Sequence, residues 1–196
     1  MIYTLRRLIC DKFSVLCTLA ELNEQEERRM RLNVKIKRLN EAAVIPKYAR
    51  EGDAGFDLIA TEDVIIEPGV TMLVPTGLAF ELPPGYEMTI RPRSGVTLKT
   101  KLRVQLGTVD SGYRGEVGVI VDNVSRDNWS NAARAIDNSY VDETRNKCSA
   151  GSYIIRKGDR IAQAVIAPFE TCHFVDSDKL EESMRGGQGF GSSGVK

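Results

Sequence analysis

The chain is poor in the residues that build metal centres. It holds one histidine, His173, and four cysteines, Cys10, Cys17, Cys148 and Cys172. None of these has metal-type spacing, which argues against a zinc site of clustered Cys and His. Two of the cysteines fall in the first 29 residues, so no disulfide framework remains, and reduced thiols in a cytoplasmic protein are expected. Net charge is also lacking: 27 basic residues balance 27 acidic ones. No global field therefore draws the chain to nucleic acid or to a membrane, and any polyanion site must be built locally. No apolar run approaches the roughly 18 residues that cross a bilayer.

What is present is a globular composition, 42% hydrophobic with seven prolines, at a length that suits one domain. Residues 1–29 read as a segment outside the core. Leu5, Leu8, Ile9, Phe13 and Leu16 recur at helical spacing, but Asp11, Lys12 and the acidic run after Glu21 do not suit a targeting signal. Glu26-Glu27-Arg28-Arg29 stands directly before Met30, and Glu and Arg codons can form the purine run that seats a bacterial ribosome. Residues 1–29 are thus expected to be leader and residues 30–196 the domain.

From Leu32 onward short strands alternate with Gly and Pro. Strands are expected over 33–38, 64–66, 72–75, 77–82, 86–91, 102–106, 117–121, 153–156 and 161–166, with turns such as Glu67-Pro68-Gly69 and Pro83-Pro84-Gly85 between them. Helix is scarce, confined to a turn after Ser94 and a stretch around Asp178 to Met184. This pattern predicts an all-β fold, a jelly-roll-like β-sandwich or barrel. Residues 126–152 break the rhythm. They hold the only tryptophan, Trp129, and a weak helical pattern over 131–136, and they read as an insertion on the surface.

Five segments have the chemistry of a site. Asp53-Ala54-Gly55-Phe56-Asp57-Leu58 places a carboxylate, Asp57, among apolar residues. Arg91-Pro92-Arg93-Ser94-Gly95 ends a strand with two arginines, a hydroxyl and a glycine, a set able to grip phosphate. Gly107 to Glu116 looks like a hairpin with Asp110 three residues before Tyr113. An acid there could activate water while the ring packs on a sugar. Gly158-Asp159-Arg160-Ile161-Ala162-Gln163 offers an amide donor. The last, Arg185-Gly186-Gly187-Gln188-Gly189-Phe190-Gly191-Ser192-Ser193-Gly194, exposes backbone N–H groups that suit an anion. It lacks the lysine of a Walker loop, and His173 has no partners for a serine–histidine–acid set.

In this order and spacing the five segments resemble the five motifs of the trimeric dUTPase family, and the likeness runs from about Val34 to Val195. The resemblance implies a homotrimer whose C-terminal arm, about residues 184–196, is exchanged between subunits. It implies hydrolysis of dUTP to dUMP and pyrophosphate, which keeps uracil out of DNA and supplies dUMP for thymidylate. Magnesium would be held by Asp57 through water. Arg93, Ser94 and Gly95 would bind phosphate, Asp110 would direct the attacking water, and Tyr113 would pack on deoxyribose and exclude UTP. Gln163 would contact phosphate, Arg185 the γ-phosphate and Phe190 the uracil, with Gly191, Ser192 and Ser193 closing over the triphosphate. No nucleic-acid or membrane partner is implied, while the insertion at 126–152 could bind a protein, as in some phage-encoded relatives. Two alternatives stand beside this reading. A dCTP deaminase shares the fold but needs a glutamate where this chain has Ile120, and a partner-binding regulator would use the insertion rather than catalysis.

Overall fold

The computed structural model describes residues 32–126, 132–142 and 148–187. Eleven strands and one short helix occur in these residues. They are β1 (Lys35–Arg38), β2 (Phe56–Ile59), β3 (Val64–Ile66), β4 (Thr71–Pro75), β5 (Leu78–Glu81) and β6 (Tyr86–Pro92), then helix α1 (Ser94–Lys99). After the helix come β7 (Leu102–Val104), β8 (Gly107–Val109), β9 (Gly118–Asn123), β10 (Tyr153–Ile155) and β11 (Arg160–Pro168). One sheet runs β2-β11-β6-β8 and a second β4-β9-β7, with the pairs β1-β5 and β3-β10 completing a jelly-roll-like sandwich.

Alternation builds the core. On β9, Val119, Val121 and Asn123 point inward between more exposed neighbours, and on β2 Phe56 and Leu58 do the same. Leu58, Ile66, Val74, Leu78, Met88, Leu102, Ile155 and Ile161 meet in one buried cluster. Each such side chain contributes roughly 1.5–3 kcal/mol on leaving water. The one polar intruder of size, Asn123, is satisfied. Its Nδ2 donates to the carbonyls of Ile66 and Gly151, and its Oδ1 accepts the Ser125 amide.

The structure departs from the expected elements in four places. Residues 178–187 form no helix. Leu180 and Met184 are fully in water there, so a seven-residue helix would have no apolar face to bury and could not nucleate alone. The described part of 131–136 is not helical either. Ala132 and Ala133 are buried, and Arg134 bridges both Tyr140 and Tyr153. The insertion is consequently stitched to the sandwich: the Arg134 amide donates to Ser152 O, and the Ile154 amide to Arg134 O. Lastly, β2 and β8 lie inside segments read for their chemistry, where Asp57 and the flanking glycines masked the strand pattern. Trp129 and the first 31 residues, including the expected leader, lie outside the described residues.

Candidate active site

The phosphate-gripping candidates meet because three strands are adjacent. Gln163 on β11 stands opposite Asp57 on β2 and, on its other side, opposite Arg91 on β6. Alternation turns Asp57 and Gln163 to the same face, away from Phe56, Leu58, Ala162 and Ala164. Strand β6 ends at Pro92, and the chain turns at Arg93 into α1, which buried Val96 anchors. A cavity of about 430 Å³ opens here, lined among others by Asp57, Arg93, Ser94, Gly95, Arg160 and Gln163.

Three of its charged residues are linked. Arg93 donates from Nε to Asp57 Oδ1 at 2.8 Å, and Arg160 Nη1 reaches Asp57 Oδ2 at 3.3 Å. Arg93 Nη1 also donates to the Arg160 carbonyl at 2.8 Å, and Gln163 Nε2 to the Pro92 carbonyl at 3.1 Å. Gly55 is packed tightly. A Cβ there would stand 3.1 Å from Ala164 O and 3.2 Å from Val165 Cγ2, so a larger residue would press on β11 beside the Asp57 strand.

The residues present fit a hard divalent cation only as part of a shared shell. Among the described residues no three His, Cys, Asp or Glu side chains converge. Asp57 nevertheless offers a carboxylate in a cavity otherwise rich in cations, and such an ion commonly takes one or two carboxylates while phosphates and water fill the rest.

Asp110 and Tyr113 stand elsewhere. β8 pairs with β6 so that Met88 is opposite Val109, which puts Asp110 level with Glu87 at the far end of β6 from Arg93. Six residues of strand separate the two levels, roughly 20 Å. One chain's Asp110 cannot reach the same chain's Arg93. The turn itself is well formed: the Tyr113 amide donates to Asp110 O, and the Tyr113 hydroxyl to Glu116 O, both at 3.0 Å. The Tyr113 ring lies over Gly115, where a Cβ would sit 2.6 Å from Cζ, and the ring is half exposed. Ile120 lies on β9 opposite Leu73, turned outward, and its alkyl chain offers no proton acceptor.

Arg185 is exposed on the extended tail. Phe190, Gly191, Ser192 and Ser193 lie outside the described residues. Sequence reading singled out neither Arg160 nor Lys47, both of which line the cavity. Arg160 carried a signal, an arginine three residues before Gln163, that strand alternation alone misplaces. Among the described residues no helix is long and apolar enough to cross a membrane.

The chain matches the family described as dUTPase over residues 41–132 and 148–194. It is 41% identical over 166 residues to the deoxyuridine 5'-triphosphate nucleotidohydrolase of Gloeothece citriformis, covering 84% of this chain and 98% of that one. With the enzyme of the same name from Nautilia profundicola it shares 42% over 165 residues, 83% of this chain and 99% of the relative. Its fold superposes on Staphylococcus bacteriophage 80alpha dUTPase with dUpNHpp at a TM-score of 0.77 and 37% identity, covering 83% and 99% of the two chains. A point mutant of the dUTPase from phage phi11 of S. aureus, described with a structural Mg(II) ion, superposes at 0.68 with 28% identity, over 76% and 99%.

Proposed function

Since the chain belongs to the dUTPase family, we propose that its two separated clusters, the Asp57–Arg93–Gln163 cavity and the Asp110–Tyr113 turn, build one active site from different subunits of a homotrimer. The activity is hydrolysis of dUTP to dUMP and pyrophosphate, with magnesium as cofactor. The observation that carries the assembly is the span of β6: two groups needed at one triphosphate stand at opposite ends of a strand roughly 20 Å apart.

In this reading the triphosphate enters the cavity, and Arg93, the Ser94 hydroxyl and the Gly95 amide take its non-bridging oxygens. Gln163 adds a neutral donor from β11. Asp57 would hold magnesium through water, and the ion would supply positive charge to offset repulsion of a nucleophile. Asp110 of an adjoining subunit holds one water in line with the α-phosphorus and accepts its proton as the P–O bond to the leaving pyrophosphate breaks. Tyr113 packs on the deoxyribose with no room for a 2′-hydroxyl. The tail, with Arg185 on the γ-phosphate and Phe190 on uracil, closes over the rest through Gly191, Ser192 and Ser193 and keeps bulk water out. The phage 80alpha relative, described with dUpNHpp, supports a deoxyuridine triphosphate as the ligand.

Mixed trimers test the sharing. Asp110→Asn chains and Arg93→Ala chains, each nearly inactive alone, should regain part of the activity when unfolded together and refolded. No recovery from assembled mixed trimers would count against shared sites. The insertion, whose described part bridges to β10 through Arg134, is a candidate surface for a protein partner. Titrating phage-derived repressor proteins against a chain lacking 133–147 tests that second role.

A further inference from the structure

We propose that Arg160 is a positioning residue that presets the phosphate-gripping Arg93 by closing a ring through Asp57. The inference rests on the reading of Arg93 given above and adds a residue to it.

The local register shows why Arg160 stands there. Ala162 and Ala164 on β11 face the core, and Gln163 between them faces the cavity. Strict alternation would send Arg160 to the core with Ala162, and Ile161 to the cavity with Gln163. The pairing with β2 shifts between Arg160 and Ala162: Ala162 stands opposite Leu58, and Arg160 opposite Ile59. Two steps on β11 thus match one on β2, a bulge. Ile161 and Ala162 are consequently buried side by side, and Arg160 is turned out to the face of Gln163 and Asp57. A bulge that buries an isoleucine re-aims an arginine into the cavity.

Once there, residue 160 acts at both ends. Its carbonyl accepts from Arg93 Nη1 at 2.8 Å, and its own Nη1 holds Asp57 Oδ2 at 3.3 Å. Asp57 Oδ1 returns the chain of contacts to Arg93 Nε at 2.8 Å. The ring commits Nε and one Nη1 proton of Arg93 to the protein and leaves Nη2 for phosphate. A planar guanidinium held by two bonds has already lost its rotational freedom before nucleotide arrives, so binding need not order it. Asp57, with both oxygens engaged, is fixed as well. Arg160 remains the most exposed of the three, its side chain 59% accessible against 27% and 25% for Arg93 and Asp57. That exposure suits a buttress at the rim.

A double-mutant cycle tests this on the full-length trimer. Arg160→Gln, Asp57→Asn and the pair are compared by calorimetric Kd for dUpNHpp, with magnesium and in EDTA, and by kcat and KM for dUTP. Substituting the side chain leaves the backbone hold on Arg93 intact. Arg160→Gln is expected to weaken binding about tenfold, mostly in KM, with partial recovery in Arg160→Lys. In the Asp57→Asn background the same change should cost less than about twofold, because its route to Arg93 is already cut. An equal loss in both backgrounds, or none in either, overturns the proposal. Should Arg160→Gln not assemble, Arg160→Met, which keeps the length of the stem and drops the charge, runs the same cycle and is read the same way. Arg93→Ala is the separate control: unchanged dUpNHpp affinity there would sink the phosphate reading itself, whatever Arg160 does.

Discussion

Arg93 holds Asp57 through Nε and the Arg160 carbonyl through Nη1, each at 2.8 Å, so its guanidinium is braced in one plane by two different strands. A lysine at this position keeps the charge but loses the fork. Arg93→Lys should raise the KM for dUTP between about tenfold and a hundredfold, as expected for one or two charge-assisted hydrogen bonds. The melting temperature should stay close to wild type, since the side chain lies at the cavity and not in the core. Steady-state kinetics with a thermal melt checks both, and an unchanged KM would remove Arg93 from the phosphate site.

Asp110→Asn keeps the shape of the turn and removes the proton acceptor. The Tyr113 amide bonds to the backbone oxygen of residue 110, so the turn should survive. Turnover of dUTP should fall by about a hundredfold to ten-thousandfold. The affinity for dUpNHpp should hold within about threefold, because a base matters more to the reaction than to binding. Equal turnover by both proteins would rule Asp110 out as the base.

On the proposed reading, sugar selection would depend on a contact with little room to spare. The Tyr113 ring covers Gly115 so closely that any Cβ would stand 2.6 Å from Cζ. Gly115→Ala must therefore push the ring aside. If the ring excludes the 2′-hydroxyl, the preference for dUTP over UTP in kcat/KM should fall by about tenfold or more. Turnover of dUTP itself should change less. Unaltered discrimination would move the selecting surface away from Tyr113.

Much of the architecture was legible in the sequence because half-buried strands alternate and glycine–proline turns punctuate them. β3, β6 and β11 beyond its bulge follow that rule, whereas β10 is a short apolar run buried at all three positions. β2 was hidden because its one cavity-facing residue is an acid, Asp57, and because the strand is only four residues long. Arg160 was hidden for the opposite reason: a bulge inverts the face that counting by twos assigns to it. The expected helix near Asp178 failed because periodicity without a surface to pack on stabilises nothing. The pairing of Asp57 with Gln163 across two strands could not be read locally, since the two positions are far apart in the chain and only the sheet register brings them together.

One acid should matter to stability and not to catalysis. Asp63 accepts the Lys157 amide at 2.8 Å and Arg156 Nη1 at 2.6 Å, tying the β2–β3 turn to the β10–β11 turn. The Lys157 amide first, and then Arg156, hold its carboxyl below the ordinary value of 3.8. A depressed acid stabilises the fold above its unfolded pKa and loses that contribution as pH falls through the folded value. Asp63→Asn should accordingly lower the urea midpoint at neutral pH. The gap from wild type should stay constant down to about pH 5 and close below 3.8. A gap independent of pH would mean that shape rather than charge supplies the tie.

The C-terminal tail should be needed for turnover but not for folding. Residues 176–187 are exposed throughout and contribute nothing to the core, so removing 186–196 is expected to leave the sandwich folded. What would be lost, on the proposed reading, is chemical: a glycine-rich run with backbone N–H groups for phosphate, the Phe190 ring for the base, and a cover against water at the reacting phosphorus. The shortened chain should elute at the same size as full-length protein and melt within a few degrees of it. Its turnover should drop by about a hundredfold, with Phe190→Ala alone falling between the two because it keeps the cover and loses only the stack. Undiminished activity in the shortened chain would place catalysis entirely within the strands, and the tail would then have no part in the reaction.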